Sequence, residues 1–278
     1  MAVETFAPPP LRESEFAHIR KLAYQKFGLD LKEGKQSLVV TRLSKELRRL
    51  GFSSFEQYCR HVADDRTGEA LIDMADALTT NFTSFMREQA HFQFLRTELV
   101  PQLAQSGPVD IWSCASSSGE EAYSILFTLL DSIGPGADVR VLATDISTRA
   151  LRAGMAAIYE SQKLAGLPPS WLQRFFLRGN GRWQGSWRVR PEYRERVRFR
   201  RFNLVTDQPA NFRFPAIFCR NVAIYFDKPT QAAVARKLAS ALDSGGYLFI
   251  GHSESLSGMD HGLRYVRPAV YRKSEREH

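Results

Sequence analysis

Residues 109–124 read Val-Asp-Ile-Trp-Ser-Cys-Ala-Ser-Ser-Ser-Gly-Glu-Glu-Ala-Tyr-Ser, and this stretch decides the fold of the chain. Its apolar start predicts a strand, its small residues at 115–119 predict a tight turn, and its remainder predicts the beginning of a helix. A second strand, predicted at residues 139–144, ends at Asp145. An open α/β sheet binds a nucleoside-containing cofactor with this succession of strand, small-residue turn, helix and acid-ended strand. We therefore predict an α/β, Rossmann-like sheet.

The acids in this unit indicate which cofactor it would hold. The turn lacks the G-x-G-x-x-G pattern of pyrophosphate sites, and Glu120 and Glu121 would repel phosphates. One of the two carboxylates can instead receive an ammonium group, or both can simply complement the helix dipole. Asp145 can accept both hydroxyls of a ribose, or it can cap the helix predicted to follow it. Ribose together with a cationic amino acid and no phosphate describes S-adenosylmethionine.

Length, charge and cysteine content narrow the class of protein. The 278 residues suggest one large or two unequal domains, and the net charge of +8 suggests an acidic partner. No apolar run approaches the roughly 18 residues of a membrane span, and the N-terminus lacks the features of a secretory signal. Cys59, Cys114 and Cys219 show no C-x-x-C spacing, which disfavours zinc sites and disulfides. We therefore expect a cytoplasmic protein without membrane insertion and without a bound metal.

Helical patterns dominate residues 1–80, which we predict to form a small N-terminal all-helical domain. Helices are expected at residues 15–27, 36–50 and 69–78, with another that carries Phe55, Tyr58 and Val62. The helix at 36–50 has a basic surface, formed by Arg42, Lys45, Arg48 and Arg49. This surface could bind an acidic partner, or it could simply be solvated.

Residues 81–278 are predicted to form the second domain, which contains the α/β sheet. Further strands are expected at residues 197–202, 216–219 and 247–250, with a helix at 229–242, a turn at 243–246 and an antiparallel pair at 264–273. One segment interrupts the alternation of strands and helices, because residues 178–202 are rich in Gly, Trp and Arg and begin with a hairpin-like pattern. We predict that residues 178–202 form a small β-subdomain inserted in the second domain.

Residues outside the first α/β unit could also carry chemistry. Arg87 could hold a carboxylate through both oxygens, which suits methyl transfer to a carboxylate because that nucleophile is already ionised without a general base. It could also pair with Glu88 or Glu98 at the surface. Asn221 follows a predicted strand, where open α/β sheets carry substrate-side loops, and Tyr225 lies four residues later. By itself the spacing of Asn221 and Tyr225 is a weak signal.

Four motifs carry a family resemblance: T-N-F-T-S-F-M-R-E (80–88), W-S-C-A-S-S-S-G-E-E-A-Y-S (112–124), F-C-R-N-V-A-I-Y-F-D-K (218–228) and F-I-G-H-S-E-S (249–255). Together they resemble the CheR family of chemotaxis receptor-glutamate methyltransferases, with a likeness that runs from about residue 12 to about residue 273. The departures are mild. Met86, Ser118 and Ala122 stand where the family usually has Phe, Thr and Pro, and none of these changes removes a polar contact.

The resemblance implies a Rossmann-like, S-adenosylmethionine-dependent methyltransferase sheet that needs no metal. It also implies which residues bind the cofactor: Asn81, Thr83, Arg87, Ala115, Glu121, Asp145, Asn203, Leu204, Arg220 and Asn221. Arg87 and Tyr225 would be the catalytic residues, beside the transferred methyl group. The product of the cofactor would be S-adenosylhomocysteine.

The resemblance further implies a substrate and partners. The substrate would be glutamate side chains on the cytoplasmic domains of bacterial chemoreceptors, converted to γ-methyl esters during adaptation in chemotaxis. The basic surface of Arg42, Lys45, Arg48 and Arg49 would approach the receptor's methylation helices. The β-subdomain at 178–202 would correspond to one that binds a receptor's C-terminal peptide in some family members. We expect a cytoplasmic monomer that binds no nucleic acid.

Two alternatives come from different classes of protein. A pI near 9.5 suggests a nucleic-acid methyltransferase, but the sequence has no D/N-P-P-Y motif and none of its cysteines follows a proline. The other alternative is a non-catalytic sensor of S-adenosylmethionine or a nucleotide. The presence of Arg87 and Tyr225 argues against a sensor.

Overall fold

The computed structural model describes residues 8–80, 82–103, 107–209 and 212–275, which divide into two compact units. The first, the helical unit, comprises residues up to Thr80 together with Tyr225–Asp227. The second, the sheet unit, comprises residues 81–224 and those from Lys228 onward. The predicted second domain, residues 81–278, includes Tyr225–Asp227, whereas the structure groups these residues with the helical unit. Within the described ranges, no helix has the length and apolar character needed to cross a membrane.

Helices α1 (Glu13–Phe27), α2 (Gln36–Leu50), α3 (Phe55–Asp64) and α4 (Glu69–Leu78) form the helical unit. Each buries one apolar face, to which α1 contributes Phe16 and Ile19. Local signals set the helix ends. The Ser54 hydroxyl accepts the Gln57 N–H at the start of α3, and Gly28 ends α1 in a left-handed conformation with φ of 69°. These helices agree with the four predicted from hydrophobic periodicity.

Residues Tyr225–Asp227 are held by α1 and the residues that follow it. The Asp30 N–H donates to the Tyr225 carbonyl at 2.8 Å, and the Tyr24 hydroxyl donates to the Asp227 carboxylate at 2.8 Å. The partners lie far apart in the sequence, so no local pattern indicates these contacts. This is the physical reason for the different assignment of the segment.

The sheet unit contains the strands β1 (Val109–Cys114), β2 (Val139–Asp145), β3 (Ile158–Glu160), β4 (Phe176–Arg178), β5 (Ser186–Val189), β6 (Val197–Arg201), β7 (Phe214–Cys219), β8 (Leu242–Phe249), β9 (Leu263–Arg267) and β10 (Val270–Lys273). Seven of them form the large sheet, in the order β6-β2-β1-β7-β8-β10-β9. The strands from β6 to β8 run parallel, and β10 and β9 extend one edge in antiparallel fashion. The predicted α/β class, with a mostly parallel sheet, is confirmed.

The helices of this unit are α5 (Gln89–Phe94), α6 (Val100–Leu103), α7 (Glu120–Ile133), α8 (Thr148–Ala156), α9 (Pro169–Phe175), α10 (Pro191–Arg194) and α11 (Lys228–Ala241), and a π-helical turn at Leu95–Leu99 joins α5 to α6. Helix α7 lies in the core of the sheet unit, since every residue from Glu120 to Leu130 is buried. Its Phe127 stacks on Phe175 with ring centroids 4.2 Å apart. Since β1 is also almost wholly buried, the turn between β1 and α7 is anchored at both ends.

Three short antiparallel strands form a small sheet in the order β3-β5-β4. It differs from the expected subdomain at 178–202, because it begins at Ile158 and because β6 pairs in parallel with β2 in the large sheet. Strand β3 has only three residues, too few for an alternating pattern to be recognised in the sequence. Its Tyr159 is buried and donates a hydrogen bond from its hydroxyl to the Ser118 carbonyl at 2.9 Å. The small sheet is thereby tied to the turn after β1.

The turn expected at residues 243–246 is instead part of β8. Gly245 has a left-handed φ of 78°, and the pairing of β8 with β7 shifts register between Phe214 and Ala216. The Arg272 guanidinium donates to the Gly245 carbonyl at 2.9 Å, which satisfies this irregular backbone. Glycines that suggest a turn in the sequence therefore form a β-bulge.

Gly154 in α8 permits a close approach between that helix and the large sheet. A Cβ atom at this position would lie 2.4 Å from a ring carbon of Phe199 in β6. We expect Gly154→Ala to lower the free energy of unfolding by about 1–3 kcal/mol, the usual cost of overpacking, despite the higher helix propensity of alanine. Urea unfolding followed by circular dichroism measures this difference.

Gly136→Ala is the matched control, because a Cβ atom there meets none of the described atoms within 4 Å. Adding Phe199→Leu to Gly154→Ala should recover part of the lost stability. Equal unfolding free energies for the Gly154→Ala and Gly136→Ala proteins would show that this contact does not limit the packing.

Candidate functional site

The carboxyl ends of three adjacent strands bring predicted site residues to one edge of the large sheet. Strand β1 pairs in parallel with β2 on one side and with β7 on the other. Ala115 follows β1, Asp145 ends β2 and Arg220 follows β7, so these residues lie at the same edge. Glu121 is in the first turn of α7, and Asn221 comes directly after Arg220. Open α/β sheets bind their ligands at this edge.

The turn after β1 is held in a conformation that few side chains adopt. Ala115 and Ser117 have φ values of 57° and 48°, a region that costs about 1–3 kcal/mol per residue other than glycine. The Ser116 N–H donates to the Thr144 carbonyl at 2.9 Å, and the Ser117 N–H donates to the Asp145 carboxylate at 2.8 Å. Contacts with the end of β2 therefore stabilise the turn, whose side chains are all small.

Asp145 is buried, and each of its carboxylate oxygens accepts a backbone N–H. The donors are Ser117 at 2.8 Å and Ser147 at 2.9 Å. Ser147 is the residue that caps α8, because its hydroxyl accepts the Ala150 N–H at 3.0 Å. The alternative interpretation of Asp145 as the helix cap is therefore wrong. Its carboxylate instead fixes the turn that follows β1.

The two acids at the start of α7 have different partners. Glu120 accepts a hydrogen bond from the Lys163 ammonium group at 2.6 Å, so its charge is already balanced. Glu121 accepts hydrogen bonds from the Ser113 hydroxyl at 2.7 Å and from the Arg220 guanidinium at 3.0 Å. Burial raises the pKa of Glu121, and the attraction of Arg220 offsets this only in part. Of the two acids, Glu121 is the one that a further cation would stabilise.

Arg220 is buried and is shared by two carboxylates. It donates to Glu121 at 3.0 Å and to Glu88 at 2.9 Å, and it also donates to the main-chain carbonyl of Arg87. One positive charge is thus enclosed with two acidic side chains. A site with this balance favours a cationic ligand and disfavours a phosphate.

Glu88 is a central residue of the site that the sequence analysis missed. Its carboxylate accepts hydrogen bonds from Arg220, from the Asn221 side-chain amide at 3.2 Å and from the His252 N–H at 3.2 Å. Burial opposes its ionisation, but Arg220 and these hydrogen bonds outweigh burial and lower the pKa of Glu88. Its place at the end of the 80–88 motif is a signal in the sequence, but the motif alone suggests only a surface pair with Arg87.

Arg87 is half-buried and lies in the sheet unit. Its guanidinium donates to the Phe82 carbonyl at 2.9 Å and is 5.8 Å from the centroid of the Phe82 ring. Among the described residues it pairs with no acid, so the expected alternative of a surface pair with Glu88 or Glu98 is wrong. Its remaining N–H groups can bind a carboxylate.

Asn203 and Leu204 are buried in the turn after β6, the neighbour of β2. The Asn203 side-chain carbonyl accepts the Val205 N–H at 2.9 Å, and the Leu204 carbonyl accepts the Lys237 ammonium group at 2.7 Å. Since the preceding Phe202 N–H donates to the Asp145 carbonyl at 3.0 Å, this turn is fixed beside the end of β2.

The remaining predicted residues are distributed between the two units. Asn81 lies outside the described residues, and Thr83 is half-buried in the sheet unit. Tyr225 belongs to the helical unit, where its hydroxyl accepts the Thr80 N–H at 3.0 Å and lies 3.3 Å from the Thr80 carbonyl. The structure thus fixes Tyr225 beside the first residue of the 80–88 motif.

The basic residues of α2 do not share one role. Arg42 is half-buried and donates to the Thr80 hydroxyl at 2.7 Å, and Arg49 forms ion pairs with acids of its own unit. Lys45 and Arg48 are exposed. The predicted basic surface is therefore partly occupied by contacts within the helical unit.

Glu88, His91 and His252 bring possible metal-binding atoms within 4.8 Å of one another. Burial, together with repulsion from Arg220, lowers the pKa of His91 to about 3, so this imidazole is neutral. Arg220 already supplies the cation that balances Glu88, and both Glu88 oxygens accept hydrogen bonds. Of this cluster, the Glu88 carboxylate and the His252 backbone N–H belong to one hydrogen-bond network, whereas neither ring nitrogen of His91 has a hydrogen-bond partner among the described residues.

Comparison with known proteins places both units in one family. Residues 14–79 match the family domain described as "CheR methyltransferase, all-alpha domain", and residues 81–271 match the domain described as "CheR methyltransferase, SAM binding domain".

Relatives extend the similarity over most of the chain. The chemotaxis protein methyltransferase of Klebsiella aerogenes is 42% identical over 264 residues, which cover 94% of this chain and 90% of that protein. Chemotaxis protein methyltransferase 2 of Pseudomonas aeruginosa is 40% identical over 259 residues, or 92% of each chain. The chemotaxis protein methyltransferase of Escherichia coli is 38% identical over 268 residues, which cover 95% of this chain and 92% of that protein.

Proposed function

Since the chain belongs to the CheR methyltransferase family, we propose that it methylates glutamate side chains on the cytoplasmic domains of bacterial chemoreceptors, with S-adenosylmethionine as methyl donor. The products are glutamate γ-methyl esters and S-adenosylhomocysteine. Loss of the glutamate charge would adjust receptor signalling during adaptation. The observation that carries this proposal is the enclosure of Arg220 with two carboxylates, beside a turn that lacks a phosphate-binding pattern.

The residues at the edge of the sheet fit this cofactor. Glu121 would receive its ammonium group, because Glu120 is already paired with Lys163. Asp145 would accept the ribose hydroxyls, and the turn at Ala115 would allow the ligand to approach the backbone closely. Further contacts would come from the remaining residues of the predicted set: Asn81, Thr83, Arg87, Asn203, Leu204, Arg220 and Asn221.

Methyl transfer to a glutamate requires alignment and exclusion of water rather than acid–base catalysis. The acceptor carboxylate is ionised at neutral pH, so one of its oxygens can attack the methyl carbon while the carbon–sulfur bond breaks and its electron pair returns to sulfur. Arg87 would hold this carboxylate with the N–H groups not used by Phe82. Tyr225, fixed by Thr80, is the second residue proposed to lie beside the methyl group.

Arg87 provides the direct test of the proposed reaction. With labelled S-adenosylmethionine and receptor-containing membranes, the wild-type protein should form esters that release labelled methanol in base. We expect Arg87→Ala to reduce turnover by about 10²–10³-fold, the scale for removing one transition-state contact, while S-adenosylhomocysteine affinity changes far less. Arg87→Lys should not restore the rate, because an ammonium group cannot hold both carboxylate oxygens.

Other outcomes would identify another function or another role. Label incorporated into RNA rather than receptors would support a nucleic-acid methyltransferase. Tight cofactor binding without turnover on any receptor would support a sensor. Equal losses of rate and of S-adenosylhomocysteine affinity in Arg87→Ala would make Arg87 a cofactor-binding residue only.

The raised pKa of Glu121 predicts how cofactor affinity depends on pH. The ionised carboxylate attracts the ligand's ammonium group, so affinity is complete above the pKa of Glu121 and falls as pH decreases through it. Because this pKa is raised, the decrease should begin at higher pH than for an ordinary glutamate. Calorimetric titration with S-adenosylhomocysteine measures the profile.

Glu121→Gln should weaken binding by about 1–3 kcal/mol and remove this pH dependence. Glu120→Gln is the matched control, because its carboxylate is paired with Lys163 and the profile should persist. A profile that is unchanged in Glu121→Gln would assign the ammonium group to another residue.

Lys45 and Arg48 are exposed on α2 and would contribute to binding acidic receptor helices. We expect Lys45→Glu/Arg48→Glu to lower receptor methylation at low ionic strength without changing S-adenosylhomocysteine affinity, and the difference should shrink as salt screens the wild-type attraction. Arg42 is left intact because it donates a hydrogen bond to Thr80, the first residue of the 80–88 motif. Initial methylation rates at several salt concentrations measure the effect.

The double variant Lys21→Glu/Lys32→Glu changes the net charge equally and alters exposed residues of the same unit. It should methylate receptors at nearly the wild-type rate. Equal losses of methylation rate in the two double variants would mean that only the net charge of the protein matters. An unchanged rate in both would mean that this face of α2 is solvated and does not bind receptors.

The small sheet is the proposed site for a receptor's C-terminal peptide. Strand β5 is central, and β3 and β4 pair with no further strand in the described part of the chain, so each has an edge that could accept an extended peptide. Ile158 and Leu177 are exposed on these edge strands, and the Arg178 guanidinium lies 5.8 Å from the centroid of the Trp187 ring. Binding there would raise the local concentration of methylation sites.

A further inference from the structure

The carboxylate of Glu88 joins its own segment to two others of the sheet unit, one at Arg220 and Asn221 and one at His252. One oxygen accepts from the Arg220 guanidinium at 2.9 and 3.3 Å, and the other accepts from the Asn221 amide and the His252 N–H, both at 3.2 Å. Glu88 therefore orients two residues of the proposed cofactor site. It occupies no position in the predicted set of site residues itself.

The backbone around Glu88 is held in an unfavourable conformation. Met86 and Glu88 have φ values of 54° and 59°, and Asn221 has a φ of 58°, although none of them is glycine. Arg220 also donates to the Arg87 carbonyl, so the same guanidinium fixes the Glu88 side chain and the adjacent main chain. Such conformations persist only where surrounding contacts determine them. The direction in which Arg87 leaves the backbone thus depends on the pair of Glu88 and Arg220.

Glu88 also competes with Glu121 for Arg220. If Glu88 were neutral, Arg220 would pair with Glu121 alone. The guanidinium would then balance the charge of Glu121, which would attract a cationic ligand less strongly. The division of one guanidinium between two acids therefore determines how strongly Glu121 attracts a cation.

We propose that Glu88 is a positioning residue of the methyltransferase site, which keeps Arg87 aligned and keeps Glu121 available by sharing Arg220 with it. This inference rests on the proposed function, because Arg87 and Glu121 have roles only if the site binds S-adenosylmethionine and a carboxylate acceptor. Its effect on Glu121 acts through charged groups that surround that acid. Arg220 contacts Glu121 directly, and Glu88 binds the same guanidinium. The thiol of Cys114 is neutral because burial raises its pKa, and burial lowers the pKa of His91, which is neutral as well.

The test compares the full-length wild-type protein with Glu88→Gln, Glu88→Asp and Glu98→Gln. Affinity for S-adenosylhomocysteine is measured over a series of pH values that extends above and below the ordinary pKa of a glutamate, because the pKa of Glu121 is raised, and kcat is measured on receptors. Glu98→Gln is the matched control, since Glu98 is exposed in the same unit. Thermal unfolding identifies any variant that fails to fold.

Glu88→Gln removes a negative charge that raises the pKa of Glu121, so the midpoint of the pH profile should move to lower pH. Its kcat should fall by about 100-fold, the scale for a misplacement of about 1 Å near the reacting groups. Glu88→Asp keeps the charge but shortens the side chain. Its pH midpoint should therefore stay near that of the wild type, while its kcat still falls.

A Glu88→Gln protein with the wild-type midpoint and kcat would overturn the proposal, as would a loss of kcat with no shift in the midpoint. If Glu88→Gln does not fold, Glu88→Asp decides, because an unchanged kcat in that variant excludes a positioning role. Failure of the wild-type protein to bind S-adenosylhomocysteine would instead refute the proposed function. Wild-type binding and methylation, with both Glu88 variants also normal, would refute only the role of Glu88.

Discussion

The burial of one guanidinium constrains the whole site. A buried charge is tolerated only where it is paired and its hydrogen bonds are satisfied. Arg220 meets this requirement with Glu88, Glu121 and the carbonyl of Arg87, while its guanidinium carbon lies 5.7 Å from the centroid of the Phe92 ring. The end of β7, the start of α7 and the segment before α5 must therefore come together as a unit. Loss of Arg220 would leave both acids without a cation, whereas loss of one acid would leave the guanidinium paired with the other.

The elements of the fold that sequence could predict are those with local signals. The β1–turn–α7 unit, the parallel strands and the four N-terminal helices all follow from apolar periodicity, caps and glycines. The bulge at Gly245 and the three-residue strand β3 could not be predicted in this way. In both, the conformation depends on the strand that pairs with the segment. That strand is not adjacent to it in the sequence, so no local pattern reveals the pairing.

The same distinction applies to the site. The position of Asp145 follows from the order of strand, turn and helix, but only the structure shows that Ser147 caps α8 and that Asp145 fixes the turn after β1. The choice between Glu120 and Glu121 depends on Lys163, 43 positions from Glu120. The role of Glu88 could not be predicted because its partner Arg220 is 132 positions away in the sequence. At such a separation, sequence spacing carries no information about contact.

The helical unit is discontinuous in the chain, since Tyr225–Asp227 complete it from within the second half of the sequence. A fragment cut after Thr80 would leave the Asp30 N–H and the Tyr24 hydroxyl without the partners they have in the intact protein. The helical unit therefore cannot be exchanged between relatives as a simple N-terminal segment. A chimera that exchanges this unit must carry the distant tripeptide with it. Because that tripeptide contains Tyr225, exchange of the helical unit also replaces one of the two proposed catalytic residues.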